Sequence, residues 1–163
     1  MIDRLVADWQ RERPGIAADA MQVVGRIIRL GRSYENEVSQ MLHTHDMSYS
    51  DFDVIATLRR SGKPYELTPT ELQRSVLLTS GAMTACLRRL ESAGLVSRET
   101  SPHDRRRLSA KLTPQGFDLV EKLIDRRFEL AQDSLAVFGA EETAAAEQLL
   151  RQLGAAKRAN LSS

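Results

Sequence analysis

The chain has 163 residues, 23 Lys+Arg against 22 Asp+Glu for a net charge of +1, and one cysteine. That length suits one compact domain, and the lone Cys86 excludes an internal disulfide framework and fits a reducing compartment. No stretch approaches the roughly 18 consecutive apolar residues of a membrane span, and MIDRLVADWQRERP has no apolar run of signal-peptide type; the expectation is a soluble, cytoplasmic protein that does not enter a membrane. Near-neutrality by itself argues against a polyanionic partner, but the charge is unevenly placed. From Val54 to Lys111 stand 11 basic and 5 acidic residues, whereas the two ends together hold 12 basic and 17 acidic.

In chain order, an extension VADWQRERPG (Val6 to Gly15) precedes the first long periodic segment. From about Asp19 to His43, Met21, Val24, Ile27, Ile28, Val38, Met41 and Leu42 recur near the 3.6 period of an amphipathic helix. Ser50-Asp51-Phe52 opens a helix that runs through Ile55 and Leu58 to Arg60, where Ser-Gly-Lys-Pro stops it. TPTE, Thr68 to Glu71, is a capping box with proline in the first turn, predicting a short helix that ends near Ser75-Val76. Thr79-Ser80-Gly81 then starts another helix, closed by Gly94; two helices joined by a short turn make a helix-turn-helix candidate. Leu95–Glu99 and Leu108–Leu112 read as two strands, with Pro102 to Arg107 as the turn between them. Thr113-Pro114, threonine as N-cap and proline at the first helical position, opens a second long helix; Gly139 breaks it, and a last helix runs from about Glu141 to Leu153 before a polar tail AKRANLSS. The organisation expected is an extension and first long helix over 1–48, a central lobe over 49–113 and C-terminal helices over 114–163, all within one compact domain.

The second helix of the central pair separates two faces. Met83, Leu87 and Leu90 share one stripe, while Gly81, Ala85, Arg88 and Ser92 lie opposite with Thr84 and Arg89 on the flanks. A slim tip that reaches base edges and basic flanks that meet phosphates are what a helix in a major groove needs; an ordinary amphipathic surface helix has the same pattern. The strand-turn-strand that follows favours the first reading, because its tip, Asp104-Arg105-Arg106-Arg107, projects guanidinium groups beside that helix. A planar cation fits the focused negative potential of a narrow minor groove.

The order of capping-box helix, TSGAMTACLRRLESAGLV (Thr79 to Val96), DRRRLSAKLT (Asp104 to Thr113) and PQG resembles the MarR family of bacterial winged-helix transcriptional regulators. The resemblance covers about Ala20 to Leu153 and implies a mainly α fold with a small β-hairpin wing, a winged helix-turn-helix with long terminal dimerisation helices. It implies a homodimer that binds double-stranded DNA at an inverted repeat, as a ligand-responsive repressor. Within that family the arginine two places after the wing aspartate enters the minor groove while the aspartate orients it, and by position these are Arg106 and Asp104. Family members often carry Asn-Arg and then Asp in the middle of the recognition helix, where this chain has Ala85-Cys86 and Arg88, so the usual base contacts do not transfer. The expected DNA contacts are Thr79, Ser80, Gly81, Thr84, Arg88 and Arg89 of the helix and Asp104, Arg105, Arg106 and Arg107 of the wing.

Other signals are weaker. His43, His45 and Asp46 look like a fragment of a metal site, but histidines two apart on a helix point to opposite sides, so no metal ligand is assigned. Cys86 is expected to pack rather than to act as a redox switch. With no G-x-S-x-G elbow, phosphate-binding glycine loop or nucleophile–base pair, no catalytic residue and no cofactor are expected. A winged helix used only for protein contact is the alternative, and steep salt dependence of duplex binding distinguishes the two. W-x-x-E-R-P in the extension resembles a MarR subgroup that responds to small organic anions such as urate or tricarboxylic acids. There a tryptophan of the extension, an arginine of the first long helix and an aspartate of the next helix surround the effector; Trp9, Arg26 and Asp53 match those places, with Arg29 competing for the second. An indole stacks on a planar ring while a guanidinium holds an oxyanion. The alternative is that Trp9 pins a capping helix and Arg26 pairs with a nearby acid.

Overall fold

The computed structural model describes the backbone of residues 1–76, 78–101 and 104–161, and the side chains of these apart from 99–101, 104–107 and 160–161. The described residues form helices α1 (Ile2–Glu12), α2 (Asp19–His43), α3 (Tyr49–Arg60), α4 (Pro69–Ser75), α5 (Ser80–Ser92), α6 (Pro114–Leu135) and α7 (Ala140–Leu161), with strands β1 (Glu66–Leu67), β2 (Val96–Ser101) and β3 (Asp104–Leu112). They group into two compact units, Met1–Val120 and Glu121–Ser163.

The starts of α3 to α6 follow local hydrogen-bond chemistry, whereas α1 and α2 begin without a side-chain cap bond. A helix leaves its first N–H groups without intrahelical partners, and a side-chain oxygen at the N-cap satisfies one of them. At α3 the cap is Ser48, whose side chain accepts from Asp51 N while Asp51 reaches back to Ser48 N, so the helix starts at Tyr49, one residue before the expected Ser50, and Asp51 is part of its cap. At α4 the reciprocal pair is Thr68 and Glu71, at α5 Thr79 accepts from Ala82 N, and at α6 Thr113 Oγ1 accepts from Gly116 N at 3.0 Å. The extension is itself a helix, α1, with Asp3 in its first turn and Val6 buried. It lies close against α2 at Gly25, where an added Cβ would come 3.1 Å from Ile2 Cδ1.

The core of this unit is mostly apolar, with Asp51, Thr57 and Ser109 buried among it. Leu42 of α2, Val54, Ile55 and Leu58 of α3 and Leu72 of α4 are all fully shielded, as are Cys86 of α5 and Ala110 of β3. The three strands form one antiparallel sheet in the order β1-β3-β2. β1 is only two residues long and pairs Glu66 with Lys111 and Leu67 with Ala110. β2 pairs with β3 from Val96↔Leu112 to Thr100↔Leu108, after which the register shifts and Ser101 faces Asp104.

That register corrects one expectation. Arg105, Arg106 and Arg107 were expected in a turn, but they lie within β3, at the irregularity between the Thr100↔Leu108 and Ser101↔Asp104 pairs. An unequal count on two paired strands leaves the extra residues unpaired and bends the longer strand. In the second unit, Gly139 N donates to Glu142 Oε2 at 2.9 Å, starting α7. The segment AKRANL, expected as a polar tail, continues α7 to Leu161, while the final two serines lie outside the described residues.

Candidate nucleic-acid interface

Helix α5 packs on α3, α4 and β2, and its inward face is Met83, Cys86, Leu87 and Leu90. Thr79, Ser80, Gly81, Thr84, Ala85 and Arg88 are all exposed on the other side, as the periodicity predicts. Thr84 Oγ1 donates to Ser80 O at 3.0 Å, so its hydroxyl proton is held by the helix and its lone pairs face outward. A Cβ on Gly81 would meet nothing within 4 Å, so no neighbour in the fold requires that position to be small. A glycine in an exposed helical turn costs about 1 kcal/mol relative to alanine, and a close-approaching surface is one reason to keep it. Arg88 has no ion-pair partner among the described residues.

Arg89 is placed differently from its neighbour. Its guanidinium grips Asp51 at the first turn of α3 with two bonds, Nη2 to Oδ1 at 2.8 Å and Nε to Oδ2 at 3.3 Å. The Asp51 side chain is 7% exposed, and it accepts in addition from Ser48 Oγ at 2.5 Å and Ser48 N at 3.2 Å. Burial pushes the Asp51 carboxyl up, but the bonds from Arg89, Ser48 and Cys86 outweigh it and hold the group below the usual carboxylate range. The same Asp51 bond raises Arg89 further above its already high value. Beside the pair, Cys86 Sγ donates to Ser50 O at 3.6 Å, and burial together with the Asp51 carboxylate pushes its thiol to about 12. Cys86 is thus a packing residue, in agreement with the sequence reading.

Asp51 was not among the expected site residues. Its one sequence signal, the S-x-x-D spacing of a capping box, says nothing about a partner 38 residues away. On the wing, only Leu95 separates β2 from the Gly94 that closes α5, so the hairpin carrying Arg105, Arg106 and Arg107 is fixed to the end of that helix. Glu91 of α5 and Arg98 of β2 bridge the same junction at 3.2 Å. The side chains of Asp104, Arg105, Arg106 and Arg107 lie outside the described residues.

The three expected ligand residues are not gathered in either cavity beside Trp9. Trp9 of α1 is half exposed and borders one cavity of about 400 Å³ with Leu5, Asp8 and Glu12, and another of about 320 Å³ with Arg13, Ile16 and Met21. Neither is lined by Arg26 or Asp53. Arg26 donates to Asp3 Oδ1 at 2.6 Å and to the backbone of Gln22 at 2.8 Å, the acid pairing that the sequence left as an alternative. Asp53 sits half-buried on α3, and burial raises its carboxyl, partly countered by Arg60. Across the described residues, no helix is long and apolar enough to cross a membrane.

A sequence model of the MarR family matches residues 45–107, the span from the end of α2 to the wing. The chain is similar to the HTH-type transcriptional regulator PecS of Dickeya dadantii, 30% identical over 86% of this chain and 85% of that protein. Among solved structures it resembles a C80S mutant of MarR from E. coli complexed with operator DNA, with a TM-score of 0.69, 26% identity, and coverage of 89% of this chain and 96% of that one. BpsR of Bordetella bronchiseptica, whose DNA binding is regulated by 6-hydroxynicotinic acid, shares the fold at a TM-score of 0.68 and 22% identity, over 80% of this chain and 92% of that one. The relatives are transcriptional regulators rather than enzymes, and by its winged helix-turn-helix and its likeness to them this chain belongs to the MarR family of transcriptional regulators.

Proposed function

We propose that this regulator acts in the cytoplasm as a homodimer that grips an inverted-repeat operator in duplex DNA and lets go when a small organic anion binds. The observation that carries the reading is the outward face of α5. It joins a capped, slim N-terminal turn (Thr79, Ser80, Gly81), the lone pairs of Thr84 and Arg88, which has no ion-pair partner among the described residues, to a wing that bears three consecutive arginines. The helix enters the major groove, Arg88 meets base edge or phosphate, and Arg89 flanks that face. In the wing, Arg106 enters the minor groove oriented by Asp104, with Arg105 and Arg107 on or near phosphates.

Dimerisation is supported by apolar surface at both ends of the chain. In α2, Met21, Val24, Ile27 and Ile28 are each 39% or more exposed, and in the second unit Phe128, Val137, Phe138 and Leu149 are more than half exposed. Contiguous apolar surface of this kind calls for a partner. A two-fold pair sets two recognition helices about 34 Å apart, one turn of DNA. Residues 1–48 and 114–163 serve the dimer and 49–113 the DNA. For the effector, Trp9 supplies a stacking surface and Arg26, on leaving Asp3, a guanidinium for the ligand, while Asp53, which lines neither cavity beside Trp9, joins the site only with a rearrangement on binding; the class we assign is urate or a tricarboxylic acid.

The experiment is a duplex selected from a random pool and titrated with wild-type protein and with Arg106→Ala at fixed salt. A loss of about 1–3 kcal/mol in specific binding is expected; an unchanged affinity removes the wing assignment. Light scattering that gives the mass of one chain at micromolar concentration removes the dimer. Tryptophan fluorescence with urate, citrate and aconitate, beside a DNA-release assay, tests the effector, and silence in both removes it.

A further inference from the structure

We infer that Asp51 and Arg89 together are a positioning device for the recognition helix: Arg89 does not touch DNA but is committed to Asp51, and the pair sets where Arg88 and the N-terminal turn of α5 point. This rests on the DNA-binding reading above. Arg88 and Arg89 are adjacent on the same exposed helix, and sequence alone gives both the same role. The structure separates them. Arg88 has no ion-pair partner among the described residues, whereas one edge of the Arg89 guanidinium, Nε and Nη2, is turned back onto one carboxylate.

Three features make this more than a surface ion pair. Asp51 is nearly enclosed although the Arg89 side chain is half exposed, so the carboxylate has little water to replace the guanidinium that partners it. The bond is two-toothed, so it fixes orientation as well as distance. Asp51 also forms the N-terminal cap of α3 with Ser48, and the α3 N-terminus directly follows the turn that ends α2. The middle of α5 is therefore tied by name to the junction at which the long helix α2 hands over to the DNA-binding lobe. A shift of that junction must carry Asp51, and with it the face of α5 that bears Arg88. Cys86, buried one turn before Leu90 and donating to Ser50 O, makes a second contact between α5 and the start of α3 beside the same tie.

The test compares Asp51→Asn, Arg89→Gln, the double variant and Arg88→Gln on a duplex selected by the wild-type protein, with affinity measured over a series of salt concentrations. Each residue contacting a phosphate contributes about 0.9 to the slope of log K against log salt. Arg88→Gln is expected to lower both affinity and slope. Arg89→Gln and Asp51→Asn are each expected to weaken binding about tenfold, the size of a strong pairwise coupling, with the wild-type slope retained and with the double variant no weaker than either single one. Affinities are normalised to the active fraction from a stoichiometric titration, so partial unfolding does not count as weak binding. If Arg89→Gln melts below the assay temperature, Arg89→Lys replaces it. A lysine keeps a phosphate contact but loses the fork, so the inference requires weakened binding from it as well. A slope that drops by about one in Arg89→Gln, additive losses in the double variant, or unchanged affinity in Arg89→Lys overturns the inference while leaving the DNA-binding reading intact. Failure of the wild-type protein to select any duplex overturns both.

Discussion

Replacing Gly116 by alanine sets two effects of opposite sign against each other at the seam between wing and helix. On propensity alone the change is favourable: alanine is the better helix former by about 1 kcal/mol, and Gly116 lies in the first turns of α6. Packing says the opposite. A Cβ at that position would overlap Leu95 O and come 2.9 Å from Leu95 C and 3.2 Å from Leu95 Cα, all of them backbone atoms that no rotamer change can move. Thr113 narrows the escape further, since its hydroxyl donates to Gly94 O at 2.7 Å and accepts from Gly116 N. Relief requires the start of α6 to retreat from the Leu95 carbonyl by about an ångström, and an overlap this deep with backbone costs about 2–3 kcal/mol, the upper part of the usual range for overpacking. The rigid contact should win, giving net destabilisation of about 1–2 kcal/mol and a Tm lower by about 2–8 °C in a chain of this size. Leu95 leads directly into β2, so the displaced carbonyl also tilts the base of the wing, and duplex affinity should fall even at temperatures where the variant is fully folded. The checks are a thermal melt by circular dichroism and an anisotropy titration well below the melt. A Tm equal to or above that of the native protein refutes the close-approach argument and leaves helix propensity as the governing term.

Two further outcomes follow from the buried pair and the thiol beneath it. Because Asp51 is held below its unfolded value of about 3.8, its contribution to stability is present above that pH and is lost as pH falls through the lower folded value; urea melts should show the gap between the native protein and Asp51→Asn closing below about pH 4, and a gap that widens on acidification contradicts the assignment. Cys86, buried and raised to about 12, should resist a thiol reagent at mildly alkaline pH until the chain is unfolded; rapid labelling of the native protein shows that α5 opens at that position.

The starts of α4, α5 and α6 were legible from the sequence because they are settled within four residues. Thr68 with Glu71, Thr79 with Ala82 and Thr113 with Gly116 close hydrogen bonds that any chain with that spacing can make, wherever its distant residues lie. The two faces of α5 were legible for the same reason: a period of 3.6 separates Met83, Leu87 and Leu90 from Gly81 and Arg88 before any partner is known. Strand β1 left no such mark. Two residues have no periodicity, and Glu66 and Leu67 count as strand only because Lys111 and Ala110 lie alongside. The reach of β3 through Arg105, Arg106 and Arg107 also depends on its pairing with β2, since charge composition suggests a turn there while the ladder carries the strand on to Asp104. Nor does the sequence distinguish Arg88 from Arg89, which share one helix and one charge. What separates them is a carboxylate 38 residues away, brought beside α5 only when the apolar faces of α3 and α5 close on each other and held there because a buried carboxylate needs a cation. The chain's own local chemistry thus determined where α4, α5 and α6 begin and which side of α5 is apolar, and tertiary packing alone decided which of two neighbouring arginines is held by a carboxylate and which has no ion-pair partner among the described residues.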